Sequence, residues 1–322
     1  MTEIVVTAPA RLHFGMLDPA GLGARRFGGF GVGIESPRVV VAVGVAGPEA
    51  TDELIVSGAQ AERATEFAQR ARARWGIGGG IELEVLEAIP PHMGLGSGTK
   101  LGLAIARGLA ELAGIPAGPE ELAQASGRGA RSSVGAWTFA DPGLVVEAGV
   151  PDGGEISPLV ARIQMPERWR CVLALPSGHA GLSGVAEERF FVHLRESAPA
   201  EPRISRLLLT ELLPGLLAGD IGEFGAALTE IQREMGSIFA AEQGGVFHPS
   251  AAPVAEALHE LGVGAVGQSS WGPAVYGILD DPELATDVAG RLRSALGTGT
   301  DVSVVDFDRR GASITSAVPE RP

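Results

Sequence analysis

The run Pro90-Pro91-His92-Met93-Gly94-Leu95-Gly96-Ser97-Gly98-Thr99-Lys100 constrains the fold more than any other segment of the chain. It follows Ile81 to Ala88, where apolar residues alternate with period two as in a half-buried strand. It precedes Leu101 to Leu112, which is small and apolar on nearly every face apart from Arg107, as in a buried central helix. Gly94, Gly96 and Gly98 let the backbone turn its N–H groups inward without a Cβ penalty, and the helix start adds partial positive charge. Strand, glycine loop and helix in that order predict an anion-binding loop for phosphate oxygens. Ser97 and Thr99 offer hydroxyls to phosphate or to a magnesium ion, and Lys100, the only lysine, stands beside them. A tight turn that merely requires glycine is the competing reading.

The 322 residues suit two modest domains. A hydrophobic content of 45% supports real cores, and the 47 glycines are scattered rather than periodic, which excludes collagen-like and linker architectures. A net charge of −14 without a long Lys/Arg run disfavours nucleic acid, so the arginines at Arg25–Arg26 and at Arg128 and Arg131 read as a local site for a small anion or as solvated surface. Cys171, the only cysteine, excludes a disulfide framework and lies in an apolar run as a structural thiol. No basic leader follows Met1 and no apolar run approaches ~18 residues, so a cytoplasmic protein without membrane contact is expected.

Strands are also predicted at Ile4–Val6 and Val39–Val41, with a charged surface helix from Ala61 to Trp75. In the second half, strands at Arg170–Leu175, Ala265–Ser269, Ala274–Leu279 and Val302–Phe307 alternate with helices to give the β-α-β-β-α-β order of a ferredoxin-like split motif. Its helices are predicted at Val185–Arg195, Arg203–Leu217, Ile221–Phe239, Ala252–Leu261 and Pro282–Leu296. Glu196–Pro202 reads as a connection and Thr315–Pro322 as a loose tail. Pro158 and Pro166 place the domain boundary near 155–168, hence domains 1–165 and 166–322.

The loop is neither G-x-x-x-x-G-K-[ST] nor a Rossmann G-x-G-x-x-G. It resembles the P-x-x-x-G-L-G-S-[SG]-[AT] motif of the GHMP kinase superfamily. Ala8-Pro9-Ala10-Arg11 is similar to the first motif of that superfamily, and Gly264 to Ala274 occupies the place of the third. The resemblance implies an α+β, GHMP-kinase-like fold: an N-terminal ribosomal-protein-S5-domain-2-like domain with a C-terminal ferredoxin-like domain. It also implies an aspartate after the helix, but Gly135 stands there, and no acidic residue occurs from Leu122 through Ala140. Arginines replace the missing base, which favours binding an anion over abstracting a hydroxyl proton.

Arg11-Leu12-His13-Phe14-Gly15, Gly23 to Gly29, Gly127 to Ser132 and Gly267 to Pro273 resemble the β-ribofuranosylaminobenzene 5′-phosphate synthases, the non-kinase branch of the superfamily. That resemblance implies condensation of phosphoribosyl pyrophosphate with 4-aminobenzoate or 4-hydroxybenzoate, with loss of pyrophosphate and carbon dioxide, early in tetrahydromethanopterin biosynthesis, by a Mg2+-dependent homodimer. Under it, His13, Arg26 and Arg131 are the candidate catalytic residues. Gly94, Leu95, Gly96, Ser97, Gly98, Thr99 and Lys100 with Arg11, Arg25 and Arg128 would hold phosphate. Gln268, Ser269 and Ser270 would bond substrate, Trp271 would stack on the arene, and Ser97 and Thr99 would meet the metal. For His13 and Trp271 a core role competes with a functional one, and for Gln268 to Ser270 a β-turn does. Two rival functions stay open: an ATP-dependent kinase with a base recruited from Asp18 or Asp141, and a non-catalytic sensor that kept the pocket. Ile278-Leu279-Asp280-Asp281 has the look of a phosphoribosyltransferase diacid, but Asp281-Pro282 reads as a helix cap.

Overall fold

The Val-rich stretches near the N-terminus cannot bury both faces alone, and they pair into a long twisted hairpin. In the computed structural model, which describes residues 3–178, 181–182, 184–197 and 203–317, β1 (Glu3–Gly15) runs antiparallel to β3 (Gly29–Val45). A short β2 (Arg25–Arg26) interrupts their connection. The chain continues through β4 (Leu54–Gly58), α1 (Ala61–Trp75), β5 (Ile81–Glu87), α2 (Ser97–Leu112), α3 (Pro119–Ser126), α4 (Val134–Ala140), β6 (Leu144–Glu147), β7 (Val150–Pro151) and β8 (Leu159–Ile163). The predicted helix over 61–75 and the strand after residue 81 are present at those positions, and Leu101 to Leu112 form the buried body of α2.

The second half contains β9 (Arg170–Pro176), α5 (Gly184–Ser197), α6 (Arg203–Leu207), a π turn at Leu208–Leu212, α7 (Leu213–Ala218), α8 (Ile221–Gln243) and α9 (Ala252–Glu260). It closes with β10 (Ala265–Gln268), β11 (Val275–Leu279), α10 (Pro282–Leu296), β12 (Thr300–Asp306) and β13 (Ser313–Ala317). The sheet order β10-β11-β9-β12 is that of the expected ferredoxin-like motif. Asp281 caps α10 by accepting from the backbone of Glu283 (2.8 Å) and Leu284 (3.2 Å), which bears out its reading as a cap. Of the predicted connection and tail, 198–202 and 318–322 lie outside the described residues.

A boundary at residue 165 does not separate two independent layers. β13 pairs with the outer edge of β1, Glu3 opposite Ala317, so residues read as a loose tail complete the first sheet. That sheet has the order β13-β1-β3-β5-β4, with β6 attached along β3 and β8 along β6. One continuous core runs through both halves, with Phe14, Phe30, Trp169, Phe224 and Tyr276 fully buried in it. A second core lies between the four-stranded sheet and α9 and α10. Cys171 is buried in β9, and burial raises its thiol well above the ordinary value, as a structural role requires. Among the described residues no helix is long and apolar enough to cross a membrane.

Candidate active site

The glycine loop is held from two sides. Gly94 has φ +78°, and a Cβ there would sit 2.0 Å from the Ser269 carbonyl, so only glycine fits. The Gly94 carbonyl accepts from the Arg11 guanidinium and from Ser269 Oγ (2.7 Å). Arg11 N donates to the Leu95 carbonyl (3.2 Å), and Ala274 N donates to the Met93 carbonyl (3.2 Å). The first and third sequence motifs therefore meet on the second. Helix α2 begins at Ser97 behind Gly96 with no side-chain cap and no acidic residue in its first turn, so its N-terminal charge is left for an anion.

Cations gather at this helix start. Arg128 donates through Nε and Nη2 to Thr99 Oγ1, each at 3.3 Å. A Cβ on Gly98 would sit 2.1 Å from Arg63 Nη2, and one on Gly127 would sit 1.7 Å from Arg70 Nη1, so both α1 arginines lie against the loop segments. Burial, then the like charges of Arg63, Arg131 and Arg70, lower the Arg128 pKa. Burial likewise lowers Arg11, to about 10. Among the described residues Arg11, Arg63, Arg70 and Arg128 make no ion pair, whereas Arg131 binds Glu187 at 2.7 Å. Mutual repulsion of that kind is relieved by a bound polyanion.

A cavity of about 210 Å³ opens beside these arginines, and Arg11, His13, Thr99, Arg128, Arg131 and Ser132 line it. The same lining carries the apolar side chains of Phe14, Met16, Phe191, Met235, Phe239 and Trp271, with Glu187, Gln232 and Gln243 among them. Trp271 stacks on Phe239 with centroids 4.3 Å apart and planes at 22°, and its indole N–H donates to Glu187 Oε1 (3.1 Å). An anionic ligand with a flat apolar part fits such a lining.

From the cavity wall a chain of polar groups runs into the protein. His13 Nε2 lies 3.1 Å from Ser132 Oγ, which donates to Glu147 Oε1 at 2.8 Å. The other carboxylate oxygen accepts from Ser133 N at 2.6 Å. Burial raises Glu147 to about 7 despite these hydrogen bonds, and burial with the nearby Arg11 holds His13 down at about 3. Gly135, at the position where a kinase would carry its aspartate, packs on Thr99: a Cβ there would come within 2.7 Å of Thr99 Cγ2.

The structure brings Arg11, His13, Thr99, Arg128, Arg131, Gln268, Ser270 and Trp271 together at the cavity, and separates several other candidates from it. Lys100 is fully buried; its Nζ donates to Thr138 Oγ1 (3.0 Å) and burial lowers its pKa to about 7, so it faces the core rather than a phosphate. The reason is helical geometry: three residues into α2, its side chain falls on the face that packs on α4. Arg25 and Arg26 sit on the β2–β7 ribbon, Arg25 exposed and Arg26 3.8 Å from Asp152, and neither lines the cavity. Ser269 is fully buried and committed to Gly94 O and to His13 N (2.9 Å), so it pins the loop. Gln268 lines the cavity, yet its amide is spent on His248 N (2.7 Å), Gln243 Oε1 (3.2 Å) and Ser270 O (3.0 Å).

The donor set at Ser97 and Thr99 does not fit a resident divalent cation. Thr99 Oγ1 already accepts from an arginine, Ser97 is buried, and among the described residues no three His, Cys, Asp or Glu side chains converge as ligands. The bases that a kinase would recruit are also displaced: Asp18 accepts from Gly23 N (2.7 Å) and Asp141 lies 3.8 Å from Arg162, both outside the cavity lining.

Four site residues were missed in the sequence. Arg63 and Arg70 recur seven apart on α1, a spacing that puts them on one helix face, but both read as ordinary surface charge. Glu147 ends the apolar run Leu144-Val145-Val146, where a carboxylate with no local partner was the available signal. Glu187 carried no signal in the sequence.

Family models described as GHMP kinases N terminal domain and GHMP kinases C terminal match residues 60–141 and 212–298. A β-ribofuranosylphenol 5′-phosphate synthase of Methanothermobacter thermautotrophicus is 32% identical, over 96% of this chain and 98% of that protein. One of Archaeoglobus fulgidus with the same name is 31% identical, over 84% and 86%. Homoserine kinase from Cytophaga hutchinsonii superposes with a TM-score of 0.67 at 16% identity, covering 97% of each chain. Mevalonate diphosphate decarboxylase from Staphylococcus aureus gives 0.65 at 15%, covering 98% of each, and at such identities these two carry the fold alone.

Proposed function

Since the chain belongs to the β-ribofuranosylphenol 5′-phosphate synthase family within the GHMP superfamily, we propose that it condenses phosphoribosyl pyrophosphate with 4-hydroxybenzoate. The products are a ribofuranosylphenol 5′-phosphate, carbon dioxide and pyrophosphate, in an early step toward tetrahydromethanopterin. The observation that carries this reading is a cavity whose lining joins Arg11 and Arg128, which make no ion pair among the described residues, to a stacked aromatic cluster. The word phenol in the relatives' names favours 4-hydroxybenzoate over 4-aminobenzoate.

The residues suit the chemistry. As pyrophosphate departs, negative charge grows on it while the ribosyl carbon becomes oxocarbenium-like, and loop amides with Arg11, Arg63, Arg70 and Arg128 would stabilise that charge. No side-chain nucleophile is needed, because the ring carbon bearing the carboxylate attacks the anomeric carbon. Trp271, Phe191 and Phe239 would hold the arene, and Arg131 its carboxylate. Magnesium belongs to this proposal only as the counter-ion that arrives with the pyrophosphate substrate. Arg25 and Arg26, on their ribbon outside the cavity, would act only by moving toward a bound substrate. A cytoplasmic location and a homodimer, expected by analogy, complete the proposal; light scattering reads the latter directly.

The test is to incubate purified protein with magnesium phosphoribosyl pyrophosphate and carboxyl-labelled 4-hydroxybenzoate or 4-aminobenzoate. Labelled carbon dioxide and pyrophosphate are expected in equal amounts, faster with the hydroxy compound. Release from neither would overturn the reading, and ADP formation from ATP with a small alcohol would support a kinase instead.

A further inference from the structure

A buried carboxylate with no cation beside it needs a reason. Glu147 is fully buried at the end of an apolar strand and is served only by hydroxyls and a backbone amide: Ser132 Oγ, Ser133 N, and the hydroxyls of Ser133 and Ser157. The charged or titratable groups around it come from β1, namely His13 and the more distant Arg11. β3 presents Gly29 opposite Glu147, and Leu159 faces it from β8. Across the cavity stand Arg128, Arg131 and Glu187. A structural role would be met by a glutamine or a well-packed leucine at lower desolvation cost.

The geometry of the chain points further. Ser132 Oγ has one proton and two acceptor positions, and it sits between His13 Nε2 (3.1 Å) and Glu147 Oε1 (2.8 Å). With Glu147 ionised, Ser132 donates to the carboxylate and accepts from Nε2–H. With Glu147 protonated, both hydrogen bonds reverse. The chain has two hydrogen-bonded states that differ by one proton, and its outer end, His13 with Ser132, lines the cavity.

We propose that Glu147, acting through Ser132 and His13, takes up the proton of the arene's para hydroxyl during ribosyl transfer and returns it after carbon dioxide leaves. This rests on the phosphoribosyl-transfer reading above. In the first stroke the phenolic O–H pair pushes into the ring, the ring carbon bonds the anomeric carbon, and the anomeric C–O bond breaks with its pair leaving on pyrophosphate. The phenolic proton enters His13, Nε2 passes its own to Ser132, and the Ser132 proton goes to the carboxylate. In the second stroke the carbon–carboxylate bond breaks, its pair restores the aromatic ring, and the proton travels back to the oxygen. No net proton and no redox partner are consumed. A carboxyl pushed to about 7 accepts and releases a proton with nearly equal ease, whereas His13, held near 3, conducts the proton without retaining it.

The experiment compares wild type, Glu147→Gln and Ser132→Ala with 4-hydroxybenzoate and with its ring-fluorinated derivatives, whose hydroxyls are more acidic. Wild-type kcat/KM should fall about tenfold per pH unit below pH ~7, where the carboxyl is already protonated. Both variants should lose ~100-fold or more in kcat with the KM for phosphoribosyl pyrophosphate little changed. They should also lose the acid limb, and recover rate as the arene hydroxyl becomes more acidic, which a merely structural defect would not do. An infrared band of the protonated Glu147 carboxyl should titrate near pH 7 in wild type and be absent from the glutamine variant. Ser132→Ala interrupts the chain while leaving the carboxylate its Ser133 amide, so it decides the matter if Glu147→Gln folds poorly. A wild type inert with both benzoates would overturn the reaction and this role with it. An active wild type whose acid limb persists in both variants, or variants whose lost rate does not recover with the more acidic arenes, would overturn the relay alone.

Discussion

Lys100→Met separates a core lysine from a phosphate-binding one. Lys100 is fully buried, donates to Thr138 Oγ1, and lies 5.9 Å from the centroid of the Phe139 ring. Burial is the largest cause of its fall from 10.5 to about 7, with Asp308 opposing and Arg11 and Arg162 reinforcing it. Between pH ~7 and 10.5 the unfolded chain therefore holds a proton that the folded protein has released, and stability rises with pH through that window. At about 1.4 kcal/mol per pH unit the gap bounds the effect at about 5 kcal/mol. Methionine has a similar length and no charge to desolvate, so the substitution removes the slope. Urea denaturation at pH 7, 8 and 9 measures it, and the difference between the two proteins isolates Lys100 from every other titrating group. The expected result is a wild-type stability that gains on the variant by about 1 kcal/mol per unit, with an unchanged KM for phosphoribosyl pyrophosphate. A parallel pH dependence, or a tenfold rise in that KM, would refute the burial reasoning and restore Lys100 to the phosphate site.

Other outcomes follow from the same geometry. Arg128→Met should weaken phosphoribosyl pyrophosphate binding about 10- to 150-fold, from the ~1.5–3 kcal/mol of a hydrogen bond to a charged group, while thermal unfolding shows no loss, because its like-charged neighbours repel it. Gly94→Ala should cost at least ~1 kcal/mol and disable the loop, since φ +78° and the Ser269 carbonyl both exclude a Cβ; urea unfolding and initial rates check it. Trp271→Leu should raise the KM for the benzoate about two- to twelvefold and leave that for phosphoribosyl pyrophosphate unchanged. Glu147 has the opposite linkage to Lys100: the folded state keeps a proton that the unfolded chain releases above 4.5, so stability falls as pH rises toward about 7. The loss of up to about 3 kcal/mol should vanish in Glu147→Gln.

What could be read in advance were features written in consecutive residues. Period-two alternation at Ile81–Ala88, the glycine spacing at 94, 96 and 98, and the cap at Asp281-Pro282 each state a local backbone rule, and the structure follows them. The arginine-for-acid exchange around Gly135 was legible for the same reason. Side-chain direction was not. Lys100 and Ser269 stand in the right segments, yet helix phase and a loop clamp turn them to structural use. Glu147 and Arg70 were hidden because their partners lie 10 or more residues away and are chosen only by packing. The long β1–β3 hairpin was seen as two short Val-rich strands, since register shifts at Pro9/Ala10 and His13/Gly15 break the alternation that marks a strand.

The pairing of β13 with β1 also orders events during synthesis. Residues 3–7 form an edge of the first sheet whose partner, residues 313–317, is translated some 300 residues later. Until then a strand carrying Ile4, Val5 and Val6 presents unpaired backbone groups, the surface most prone to capture by another chain. Chains that lose residues past 312 should fold around an intact cavity and yet associate through that open edge, so solubility would fall before catalysis does.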